Sequence, residues 1–123
     1  MGSISSVIAL NTWCKGPSPF LWLKFDVEPL YRALYKLRSS NPEDFERDLI
    51  DALNIASDVN HKLLIADRTY SDNPVFQLAD RFYLQCATFT RYLCVTSRAR
   101  NSRYVREYWS FISEPWEQFL YAL

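Results

Sequence analysis

The sequence predicts an all-α protein: an antiparallel bundle of four main helices with an N-terminal apolar arm packed across it. Two long stretches carry apolar residues at helical spacing. One holds Phe45, Leu49, Ala52 with Leu53, Ala56, Val59 and Leu63; the other holds Phe76, Ala79, Phe82 with Tyr83, Cys86, Phe89 and Leu93. This is the i, i+3, i+4, i+7 pattern of a helix with one buried face. Each stretch opens on Asn-Pro, Asn41-Pro42 and Asn73-Pro74. Asparagine can accept an orphan backbone N–H as a cap, and proline suits the first helical position, where no N–H is needed. Glycine is scarce, with two in 123 residues, whereas an all-β chain needs turn residues about every 8–12 positions.

The arm is assigned to residues 1–25 and the bundle to 26–123. Met1-Gly2-Ser3-Ile4-Ser5-Ser6 fits the N-myristoylation pattern, with Gly2 as acceptor and Cys14 as a candidate for a second lipid. The same residues fit an ordinary N-terminus or a Gly-Ser cloning remnant. Ser6 to Lys15 fits a strand or a short helix, and Gly16-Pro17-Ser18-Pro19 is a breaker. Phe20 to Phe25 is expected as an extended or one-turn apolar segment. Asp26 is read as the cap of a helix through Pro29 to Arg38, with Leu30, Leu34 and Leu37 on its inner face.

The second helix is expected over about 42–67. Its first turns carry Glu43, Asp44, Glu46 and Asp48, where the helix dipole favours acids. Glu43–Arg47, Arg47–Asp51 and Asp58–Lys62 pair at i,i+4 along a solvated face. The third helix is expected over about 74–97, with Gln77, Arg81, Gln85, Thr88 and Arg91 stepping down its outer side. Residues 98–103 connect it to a fourth helix, capped by Ser102 and carrying Tyr104, Val105, Tyr108, Trp109 and Ile112. Glu114-Pro115 is expected to interrupt that helix, because the residue before proline avoids the α region. Trp116, Phe119, Leu120 and Leu123 then form a last turn that either folds into the core or makes an interface.

Length and composition fit one globular domain: 49% of residues are apolar and 16% aromatic, far from a disordered composition. Formal charge is zero yet unevenly spread. Residues 26–58 hold eight acids against four bases, while residues 81–106 hold six arginines and no acid. Such asymmetry points to an anionic partner or a head-to-tail self-contact. Three cysteines, Cys14, Cys86 and Cys94, give no disulfide framework, and a reducing, intracellular setting (cytoplasmic or nuclear) is expected. The chain is expected to be neither secreted nor transmembrane, since no apolar run approaches about 18 residues.

No catalytic constellation emerges. His61 is the single histidine and sits on a polar helix face, without the several ligands a metal site needs. Asp44 and Asp48 lie one turn apart at a helix start, where solvent gives neither carboxyl a reason to titrate high. There is no phosphate-cradling glycine loop and no nucleophile motif. The expectation is therefore no enzyme activity, no cofactor, no metal and no small-molecule substrate. Arg91, Arg98, Arg100, Arg103 and Arg106, with Tyr104 among them, form the sharpest feature. Guanidinium forks grip phosphate bidentately and aromatic rings stack on bases. A non-catalytic protein-interaction module, an adaptor or an oligomer, is the leading expectation, with Trp109, Trp116, Phe119, Leu120 and Leu123 as its contact surface. RNA binding through the arginines is an alternative, as is attachment to an anionic membrane surface through acylated Gly2.

Overall fold

A computed structural model describes residues 18–123. The expectations for residues 1–17, including Gly2 and Cys14, lie outside the described residues, whereas residues 21–25, assigned to the arm, belong to the first helix. The chain forms α1 (Leu21–Arg38), α2 (Pro42–Tyr70) and α3 (Pro74–Val95), then a 3₁₀ turn (Ser97–Ala99), α4 (Ser102–Glu107) and α5 (Ser110–Ala122). No strand occurs among the described residues. Helix α2 packs against α1 and α3, α3 against α5, and α1 crosses α3 as well. Contacts between neighbours run in opposite senses. Lys36 near the end of α1 meets Asp48 near the start of α2, and Trp22 meets Tyr70 at the other end. Arg81 near the start of α3 reaches Gln118 near the end of α5. Four main helices thus pack against each other, α1 with α2 and α3 with α5 running in opposite senses, and the short α4 turns the chain from α3 into α5.

The periodicity of the sequence becomes the core. Leu23, Val27, Leu30, Leu34 and Leu37 line one face of α1 with no exposed surface. Facing them are Phe45, Leu49, Ala52, Ala56, Val59 and Leu63 on α2, where two alanines let the helices approach closely. Fully burying each leucine or phenylalanine contributes about 1.5–3 kcal/mol, so a few such side chains outweigh any surface pair. Leu53 stands at the margin, half-buried, while Ala52 beside it takes the core position.

Three boundaries differ from the sequence expectation. First, Phe20–Phe25 is neither extended nor a single turn: α1 begins at Leu21, making Asp26 an interior residue rather than a cap. Ser18 starts the helix instead, its Oγ accepting the Phe20 N–H at 3.1 Å and its carbonyl accepting that of Leu21 at 3.3 Å. Pro29 lies inside α1, so the Phe25 carbonyl has no helical donor. Both residues are exposed, which leaves that carbonyl to water.

Second, the interruption near the C-terminus falls at Tyr108-Trp109, and Glu114-Pro115 lies within α5. The Trp109 carbonyl accepts from both Ile112 and Ser113, at 2.9 Å each, so α5 starts one turn before the proline. Third, α3 stops at Val95, and Asn101 rather than Ser102 caps α4, accepting the Tyr104 N–H at 2.8 Å. The two Asn-Pro openings also differ. Asn73 accepts from Val75 and Phe76 N–H at 2.9 and 3.2 Å, whereas the Asn41 side chain makes no capping bond.

Candidate functional site

The arginine cluster divides by role. Arg100 folds back over the end of α3: its Nε donates to the Leu93 carbonyl at 3.3 Å and its Nη2 to the Cys94 carbonyl. Its Nη1 lies 3.6 Å from Glu46 on α2. Arg106 reaches the end of α1, donating to the Arg38 carbonyl at 3.1 Å. A helix C-terminus presents unsatisfied carbonyls and partial negative charge, and both guanidiniums satisfy part of that need. Arg103 pairs with Glu107 at 3.8 Å on an exposed face. Arg91 and Arg98 are exposed and have no carboxylate partner among the described residues.

Tyr104 belongs to an aromatic assembly that the sequence did not announce. Its ring lies 6.1 Å from Phe89, 5.9 Å from Tyr92 and 4.5 Å from Tyr108. Together with Phe111 and Thr88 these rings enclose an open groove of about 280 Å³ between α3 and the α4–α5 corner. A second depression continues past the Tyr92–Tyr104 pair to Thr96, Arg98 and Ala99. Tyr92, Tyr108 and Phe111 are 45%, 52% and 40% exposed, an unusual concentration of aromatic surface. Partial removal from water, then the neighbouring Tyr92 hydroxyl, pushes the Tyr104 phenol up. Sequence reasoning places Tyr104 among the arginines and Phe89 on the buried face of a helix, but gives Tyr92 and Phe111 no place. Their convergence depends on the bend at Tyr108-Trp109, which carries no local signature.

The C-terminal residues also separate. Trp116 and Phe119 lie in the molecule's own core, 4% and 0% exposed. The Trp116 ring stacks on Tyr31 at 4.7 Å and 12° and meets Phe82 at 4.9 Å. Trp109 is half-buried against Tyr31 and Tyr35, and Leu123 packs on the core. Of the five, Leu120 alone is exposed, with Tyr121 beside it. Arg38 lies over the Tyr35 and Trp109 rings, 5.3 Å from each centroid. Its Nε is buried without a hydrogen-bond partner, and attraction to the ring faces offsets that loss.

Polar groups elsewhere range from buried to exposed. Asp48 is buried rather than solvated. It accepts from Ser40 Oγ at 2.5 Å and lies within 3.6 Å of Lys36 and 3.5 Å of Arg47. Burial alone would raise its pKa, but the Ser40 hydrogen bond and the two cations outweigh it and hold the carboxyl below its usual range. Cys86 is sealed in the core, and burial pushes its thiol well above the usual range. Asp80 is pushed up by burial and then by Asp67 across the α2–α3 interface. His61 is exposed, and among the described residues no three histidine, cysteine or carboxylate side chains gather as a metal site would require. No helix among them is long and apolar enough to cross a membrane.

Comparison with models of protein families, with curated proteins and with solved structures finds no match to this chain.

Proposed function

We propose that the chain is a non-catalytic helical interaction module that docks a partner protein on the aromatic groove between α3 and the α4–α5 corner. One observation carries the proposal: Phe89, Tyr92, Tyr104, Tyr108 and Phe111 converge on a concave surface left open to solvent. Aromatic rings held on rigid helices, next to arginine, are what energetic centres of protein interfaces are made of. The groove lining offers hydroxyls and rings but no acid, thiol or imidazole, so it supports recognition rather than chemistry. Relative to the sequence expectation, the contact surface moves from Trp116 and Phe119 to this groove, with Leu120 and Tyr121 a separate exposed pair.

Replacing Tyr108 and Phe111 with serine tests the proposal, because both are well exposed and their loss spares the core. The doubly substituted protein is expected to keep its far-ultraviolet spectrum and melting temperature while losing whatever protein co-purifies with the wild type from its host. Identical co-purifying proteins for the two would defeat the proposal.

A second reading, RNA binding, draws on the three tyrosine rings gathered beside Arg98. Binding of that kind weakens steeply with salt, at a log–log slope near the number of phosphates neutralised. Its test substitutes Arg91, Arg98 and Arg103 with glutamate and leaves Arg100 and Arg106 in place, since those two hold helix ends.

A further inference from the structure

We infer that the occupant of the aromatic groove is an acidic amphipathic segment of a partner protein, helical when bound; the inference rests on the groove being the docking site. Size comes first. The groove and its continuation run alongside α3 from Thr88 to its end and on to Thr96, about 12 Å at 1.5 Å per helical residue. That is the length of two helical turns, enough to receive side chains at i, i+3 or i+4, and i+7, as grooves that bind amphipathic helices do. The volume of about 280 Å³ falls just below the ~300–1,000 Å³ typical of small-molecule clefts, and the groove is open to solvent.

Charge selects the partner. From Arg81 through Arg106 the chain carries no acid. Arg98 lines the far end of the groove, Arg103 precedes Tyr104, and Arg91 stands exposed on α3. The single carboxylate of α4 is Glu107, already beside Arg103. A segment with carboxylates flanking its apolar side chains matches this surface, and arginine accepts carboxylate in a fork. A second copy meeting through the same face would bring the same arginine-bearing surface against itself, and such like-charge contact disfavours a two-fold pair. Nucleic acid is served less well. With Arg100 and Arg106 on backbone carbonyls, few cations remain for phosphates, and counterion release scales with that number.

The test selects random peptides long enough for three helical turns against the full chain and measures the recovered sequences by fluorescence anisotropy. Recovered peptides are expected to place leucine, phenylalanine or tryptophan three and four apart, with aspartate and glutamate in excess. Arg98→Glu is expected to weaken them about threefold, the effect of turning one rim attraction into a repulsion. Arg98 is exposed, so this variant folds as the parent does. Basic or neutral winners, no winners, or acidic winners indifferent to the arginine change would each overturn the inference. So would a single-stranded oligouridylate that displaces the peptides at lower concentration than they bind. Neutral winners lost in the Tyr108→Ser, Phe111→Ser protein would reject the acidic partner and keep the groove; winners indifferent to those serines would reject both.

Discussion

Asp48 and Asp80 are both aspartates on helices, yet their surroundings give them opposite effects on acid stability. Asp48 has its folded pKa lowered by Ser40, Lys36 and Arg47 against the cost of burial. An unfolded aspartate titrates near ~3.9. The stabilisation Asp48 provides is therefore complete above that value and disappears as pH falls through the lower folded one. Asp48→Asn is expected to cost about 1–3 kcal/mol at neutral pH, the range for disturbing a buried charge-assisted hydrogen bond. It should also flatten the loss of stability below about pH 4 in urea titrations. Asp80 has its pKa raised by burial and by Asp67, so it binds its proton more tightly folded than unfolded. Stability then declines as pH rises through that window, and Asp80→Asn should raise the melting temperature at neutral pH and leave it little changed in acid. Cysteine labelling tests burial in the same way. In the native protein iodoacetamide should modify Cys94, which is half-buried, and leave Cys86 untouched until denaturant is added.

At the scale of the helix, Arg100 and Arg106 bear on the ends of elements. Arg100→Gln should cost about 1.5–3 kcal/mol, the range for hydrogen bonds to a charged donor, measured by denaturant unfolding. Arg98→Gln should change stability little. The sequence made α2 and α3 legible from period and Asn-Pro openings, because those signals are local. It did not reveal that Arg100 and Arg106 cap helices, since the carbonyls of Leu93, Cys94 and Arg38 become their partners only after the chain has turned. The start of α1 was misplaced for a different reason. Asp26 followed by Pro29 resembles a helix opening, but the Leu23, Val27, Leu30 stripe already runs through both, and core burial overrides the proline's missing donor. Pro29 is exposed, so Pro29→Ala should restore a helical hydrogen bond and stabilise the protein by up to about 3 kcal/mol.

Across the whole molecule, α5 closes the core. Phe119 and Trp116 fill the space between α1 and α3, and replacing either with alanine should cost about 3–5 kcal/mol, a large part of the ~5–15 kcal/mol that holds a small domain together. Truncation after Ser113 removes both, and the expected result is an unfolded chain by circular dichroism rather than a dissociated one by sedimentation. The groove was only half legible because it belongs to no single element. Tyr104 stands out among the arginines in the sequence, but Phe89, Tyr92 and Phe111 join it and Tyr108 only when α5 turns back along α3. The same turn lays the Trp116 indole nearly parallel to the Tyr31 phenol, 4.7 Å between centroids, while Trp22 remains partly wet at the far end near Tyr70. The protein therefore contains its own optical gauge: near-ultraviolet dichroism and blue-shifted emission from the enclosed indole follow detachment of the last helix, without any added dye.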